Sequence, residues 1–133
     1  MTEASGTRHF TDGGGWQDQA GYSRAVRRGK IIMVSGTTAT GPDGRAMHRG
    51  DTGAQARVCL SRVEDAIVAL GGSLDDIVQT VVYLAPGASW EDAAAAHRDV
   101  LAAVRPANTM LYVDGLIGDG FLVEIQAQAV LAT

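Results

Sequence analysis

The 133-residue sequence is short of several things at once, and each shortage excludes something. It has one cysteine, Cys59, so no internal disulfide can form and a disulfide-built scaffold is ruled out. Aromatic residues make up only 5%, so the core must be packed mainly from Ala, Val, Leu and Ile. No uncharged apolar run approaches the ~20 residues of a membrane-spanning helix. The start, Met1 to Gly6, has neither the basic nor the apolar stretch of a secretory signal, and with the lone cysteine this leads us to expect a cytoplasmic protein. Positive charge is also short. Eleven Lys+Arg stand against 15 Asp+Glu, a net charge of −4, which is the wrong sign for gripping phosphates. No nucleic-acid partner and no membrane partner are expected. His9, His48 and His97 lie far apart with no pair at i, i+4, and Cys59 has no second cysteine, so no metal or cofactor is expected. There is no G-x-S-x-G nucleophile motif, and Gly13-Gly14-Gly15 lacks the Lys-Ser/Thr of a phosphate loop.

What is present fits one globular domain: 46% hydrophobic residues, 20% charged residues and 17 glycines. Residues 1–20 are expected as a flexible lead-in with room for a short strand near Thr7 to Thr11, and residues 21–133 as the main domain. Tyr22 to Arg28 and Ile31 to Ser35 flank Gly29-Lys30 and read as a β-hairpin. Asp51 is a helix N-cap, and Cys59, Leu60, Val63, Ile67 and Leu70 form one apolar helical stripe that stops at Gly71-Gly72. Ile77 to Leu84 reads as a buried strand. A second helix opens at Ser89, places Ala93, His97, Val100, Leu101 and Val104 on one face, and ends at Pro106. His97 on that face reads as a hydrogen-bonded structural histidine, and Cys59 as a buried thiol. Thr109 to Val113 and Phe121 to Leu131 supply two more strands. The order β-β-α-β-α-β-β predicts a two-layer α+β domain with two helices on one face of the sheet.

The last strand carries the most informative signal. Phe121, Val123, Ile125, Ala127 and Ala129 alternate with Leu122, Glu124, Gln126 and Gln128. The second set makes a polar stripe within apolar sequence, which suits a subunit interface or a cleft. In such a cleft, desolvation would equip Glu124 to move protons. The plainer alternative is a strand residue facing solvent.

Six short segments, in order, resemble the Rid family, also called YjgF or L-PSP. Gly21-Tyr22-Ser23-Arg24-Ala25-Val26 is similar to its G-P-Y-S-x-A-V. Val34-Ser35-Gly36-Thr37 is similar to its strand-ending S-G, and Gly41-Pro42-Asp43-Gly44 resembles the following turn. Leu74 to Thr80 resembles its D-V-V-K-T strand entry. Pro106-Ala107-Asn108-Thr109 stands where the family has P-A-R-S/T, and Leu122 to Ala127 resembles its L-V-E-I-E-A close. The resemblance implies a chorismate-mutase-like fold, and a homotrimer whose sheets line a central barrel with ligand clefts between subunits. It also implies cofactor-free deamination of an enamine or imine.

Carried over residue by residue, the resemblance makes Glu124 the catalytic carboxylate. Tyr22, Ser35, Gly36, Asn108 and Thr109 become substrate-binding residues. Asn108 occupies the position of the family's carboxylate-binding arginine, and Gln126 that of a second glutamate. An asparagine donates only neutral hydrogen bonds where an arginine gives a charged bidentate clamp. The expected substrate is therefore an enamine or imine metabolite other than 2-aminoacrylate. Arg105, at the helix end, reads as a partner of the last helical carbonyls. Two alternatives stay open: a non-catalytic trimer that binds a small molecule, and, more weakly, an endoribonuclease.

Overall fold

Alternation of apolar and polar side chains decides most of the fold. The structure, a computed structural model, describes residues 6–132. Most of the frayed start expected at Met1 to Gly6 thus lies outside the described residues. The elements follow in the order β1 (Thr7–Phe10), α1 (Gly15–Ala20), β2 (Ala25–Arg28), β3 (Ile31–Thr37), α2 (Thr52–Ala69), β4 (Ile77–Leu84), α3 (Trp90–Leu101), β5 (Ala107–Tyr112) and β6 (Val123–Val130). A short 3-10 turn at Leu74–Asp76 leads into β4. The strands make one sheet ordered β1-β2-β3-β6-β4-β5. It is mixed: β4 and β5 run parallel, with α3 as their crossover, and the other neighbours are antiparallel.

The α+β class agrees with the sequence reading, with corrections. The strand foreseen near Thr7 exists as β1. The same lead-in also contains α1, which makes three α-helices among the described residues rather than two. Gly13 and Gly14 form the loop before that helix, and Gly15 is its first residue. Asp12 accepts a hydrogen bond from the Gly14 N–H at 3.3 Å, and Gly21, at φ +72°, ends the helix by donating to Gln17 O at 2.8 Å. β6 begins at Val123, two residues after the expected Phe121, and β5 begins at Ala107, two before the expected Thr109.

The caps of the two longer helices are those read from sequence. Asp51 accepts from Ala54 N at 3.0 Å and Ser89 from Asp92 N at 3.2 Å. Helix α3 closes through the Arg105 backbone, not its side chain. Arg105 takes φ +54° and its N–H donates to Leu101 O, and among the described residues its side chain has no hydrogen-bond partner.

The core lies between the helices and one sheet face. Ile32, Val34, Val82, Leu84, Val123 and Ile125 meet Leu60, Val63, Ile67 and Leu101 there. Each such side chain contributes roughly 1.5–3 kcal/mol on burial. Two polar ties hold this layer. Thr80, fully buried, accepts from Asn108 Nδ2 at 3.0 Å and shares a 2.8 Å hydrogen bond with His97 Nε2. His97 is thus the structural histidine foreseen. Gln55, also fully buried, donates from Nε2 to Gly120 O at 3.0 Å and accepts at Oε1 from Leu122 N at 2.8 Å. The opposite sheet face has no helix over it among the described residues. Met33, Ile31 and Val130 are exposed there, and Tyr83 donates across it to Gln126 Oε1 at 2.6 Å. No helix among the described residues is long and apolar enough to cross a membrane.

Candidate functional site

Strand β3 pairs with β6, and its register slips between Val34 and Thr37. Gly36 lies in that slip. The Glu124 carboxyl group lies directly over it, and any Cβ at position 36 would occupy the space of Glu124 Oε2. Above the pair opens a cavity of about 730 Å³. Trp16 and Tyr22 wall it on the N-terminal side, the Thr38–Gly44 stretch forms another side, and Ile117 comes from the loop before β6.

Glu124 is half-buried and, among the described residues, has no hydrogen-bond partner. Burial pushes its carboxyl pKa up, and the nearby Arg24 charge offsets part of that rise. Arg24 is 8% exposed. Its Nη1 donates to Gly36 O at 2.6 Å, Thr37 Oγ1 at 3.1 Å and Ser35 O at 3.4 Å. Its Nε faces Asp12 Oδ2 at 3.5 Å, and its guanidinium sits 5.8 Å from the Tyr22 ring centroid. Asp12 also accepts from Gln17 Nε2. Burial opposes ionisation of Asp12, but Gln17, Arg24 and the Gly14 N–H outweigh it and hold the carboxyl below its ordinary range. Arg24 thereby pins the segment from Asp12 to Tyr22 across the cavity.

A second guanidinium, Arg62 on α2, lines the same cavity. It donates from Nη1 to Thr38 O at 2.9 Å and from Nη2 towards Met47 Sδ at 3.8 Å. None of the three histidines lines the cavity. Among the described residues no group of three His, Cys, Asp or Glu could hold a metal ion. Cys59 lies buried beneath, its thiol pKa pushed up to about 12 by burial, and it accordingly stays protonated and inert.

Residues 16–131 match the model of the family described as endoribonuclease L-PSP. The chain belongs to the endoribonuclease L-PSP family. An uncharacterized protein of Streptomyces coelicolor is 31% identical over 122 residues, which cover 92% of this chain and 90% of that protein. The crystal structure of a Mycobacterium tuberculosis member of the YjgF/YER057c/UK114 family superposes with a TM-score of 0.84 at 34% identity, over 94% of this chain and 99% of that one. The Escherichia coli YjgF product superposes with a TM-score of 0.72 at 28% identity, over 82% and 87%.

The L-PSP match accords with the sequence resemblance, and the cavity brings together only part of the expected site. Tyr22, Gly36 and Glu124 line it. Ser35 adjoins it, its hydroxyl donating to Ser23 O at 2.8 Å and its carbonyl accepting from Arg24. Asn108 and Thr109 are elsewhere, on edge strand β5, two strands from β6. Asn108 turns its amide to Thr80 on the helix-covered side, and Thr109 pairs with Val81. Gln126 is tied to Tyr83. Sequence reasoning missed Asp12, Trp16, Arg24 and Arg62. For Arg62 a signal existed: three residues after Cys59, it borders the buried stripe of α2. Arg24 gave none, since its acceptors, Ser35 O, Gly36 O and Thr37 Oγ1 at the end of β3, are brought to it only by packing.

Proposed function

We propose that this protein hydrolyses an enamine or imine metabolite, with Glu124 moving the protons. An enamine first takes a proton on carbon and gives one up from nitrogen to become the imine; water then adds to the C=N carbon, the nitrogen takes a proton, and ammonia leaves as the carbonyl forms. Such a reaction needs a carboxyl group that exchanges protons near neutral pH, oriented donors and a shielded pocket. The observation that carries the reading is Glu124 itself: half-buried, free of hydrogen-bond partners among the described residues, raised in pKa and facing a 730 Å³ cavity. A carboxylate placed only for structure would be paired.

The working unit in this reading is a homotrimer with the helix-free sheet faces turned inward around a central barrel. The exposed Ile31, Met33 and Val130 support this, being an apolar surface that a second copy would cover. Asn108 and Thr109 would then reach a Glu124 cleft only from the β5 edge of a neighbouring subunit. With asparagine at that position, 2-aminoacrylate is a poor substrate. RNA cleavage fits less well, given a net charge of −4 and no histidine in the cavity.

The test is to generate imines from amino acids with an amino-acid oxidase and follow ammonia release. Glu124→Gln should lower the rate by roughly 10²–10⁴-fold. An unchanged rate in that variant, or turnover of RNA in place of imines, overturns the reading. Light scattering should give three times the mass of one chain, and a monomer would remove the intersubunit cleft.

A further inference from the structure

The cleft holds two guanidinium groups, and only one of them has a carboxylate. Arg24 has its carboxylate in Asp12, 3.5 Å from Nε without a hydrogen bond there, and its Nη1 serves three acceptors. Arg62 is partly buried and touches only neutral groups, Thr38 O and Met47 Sδ, with no carboxylate partner among the described residues. A cation withdrawn from water without a counter-ion leaves a free-energy deficit that an incoming anion removes. Donors of a second kind stand in the same wall. The Thr38 and Thr40 hydroxyls share one hydrogen bond at 2.7 Å. The hydroxyl that accepts in that bond keeps its own proton for another acceptor. Arg62, Arg24, Glu124 and Asp12 all line this one cavity. Trp16, 47% exposed, and Ile117, 79% exposed, are two large apolar side chains that line the same cavity.

We infer that Arg62, with the hydroxyls of Thr38 and Thr40, seats a carboxylate of the ligand, whose apolar body lies against Trp16 and whose reacting carbon lies toward Glu124. This rests on the imine-hydrolysis reading and names its substrate class: an imino acid with a bulky apolar side chain. A single guanidinium suits a monoanion. A phosphate dianion would face Glu124 and Asp12 in the same cavity with too little positive charge to balance it.

The experiment uses phenylpyruvate and its methyl ester, which differ at one end by a negative charge and a methyl group, and calorimetry on the intact protein. The wild type should bind the acid at least about tenfold more tightly than the ester. Arg62→Gln should remove that preference by weakening acid binding far more than ester binding, and Arg62→Lys should keep part of it. Thr40→Ala, which leaves the Arg62 contacts in place, should weaken acid binding by a few-fold and guards against a misfolded Arg62 variant. Equal affinity for acid and ester in the wild type, binding of neither, or a preference that survives Arg62→Gln overturns the inference. The same preparations, assayed on the imine formed from phenylalanine, separate the two readings. An Arg62-dependent acid preference without imine turnover keeps the carboxylate seat and removes the hydrolase. Turnover whose KM ignores Arg62 does the reverse.

Discussion

The Glu124 carboxyl group rests on the Cα of Gly36, with no room between them for a methyl group. Strand β6 supplies the acid and β3 supplies the space for it, so a side chain at position 36 requires the Glu124 carboxyl to move. Gly36→Ala should therefore destabilise the protein by roughly 1–3 kcal/mol, as overpacking does. It should also cost most of the activity by displacing the carboxyl. In a Glu124→Ala background the same change should be far milder. A denaturant double-mutant cycle reads the difference directly.

Glu124→Gln should stabilise the protein at neutral pH. Its folded-state pKa lies above the ordinary 4.5, chiefly through burial. The folded state thus holds this proton more tightly than the unfolded one, and that advantage is complete below pH 4.5. It is lost as pH rises through the higher folded value. Glutamine carries no charge at any pH. Its thermal midpoint should exceed that of the wild type at pH 7.5, and the gap should close by pH 4.

Thr80→Val should cost about 1–3 kcal/mol in urea unfolding, because it leaves Asn108 Nδ2 and the half-buried His97 ring without the hydroxyl they share. Burial holds the His97 pKa below 6.5. In the wild type its neutral ring therefore favours folding above pH 6.5, and that contribution falls away as pH drops through the window below.

Asp12→Asn should loosen the N-terminal segment without unfolding the domain. Chymotryptic cleavage at Trp16 should speed up several-fold, while the global stability changes by less than about 1 kcal/mol, since the Arg24 pair is partly exposed. The Asp12 carboxyl is held below its ordinary 3.8. Its contribution is present above that pH and disappears as pH falls through the lower folded value, so acid should loosen the wild-type segment in the same way.

The elements that sequence made legible are those in which one strong period governs a long run. The Cys59 to Leu70 stripe and the alternation around Glu124 each repeat often enough to fix a face. Helix α1 was illegible for the opposite reason. It is six residues long, begins on the last of three glycines, and is held by Asp12 and Gly21 rather than by an apolar stripe. Glu124 announced itself as a lone acid on a buried strand. Arg24 did not, and for Arg62 the sequence shows only its place beside the α2 stripe; which of the two has a carboxylate beside it is a property of packing. The Asn108 side chain could not be placed either: a one-residue choice of face on β5 sends it to Thr80 or to the other side.

The Gln55 amide, holding Gly120 O and Leu122 N, has a mechanical consequence. Its Nε2 also reaches His48 O at 3.4 Å, on the stretch that returns from the cavity rim to α2. One rigid side chain on a rigid helix thereby couples the Ile117 loop to the Thr38–His48 stretch. Both edges of the opening are tethered to a single point on α2.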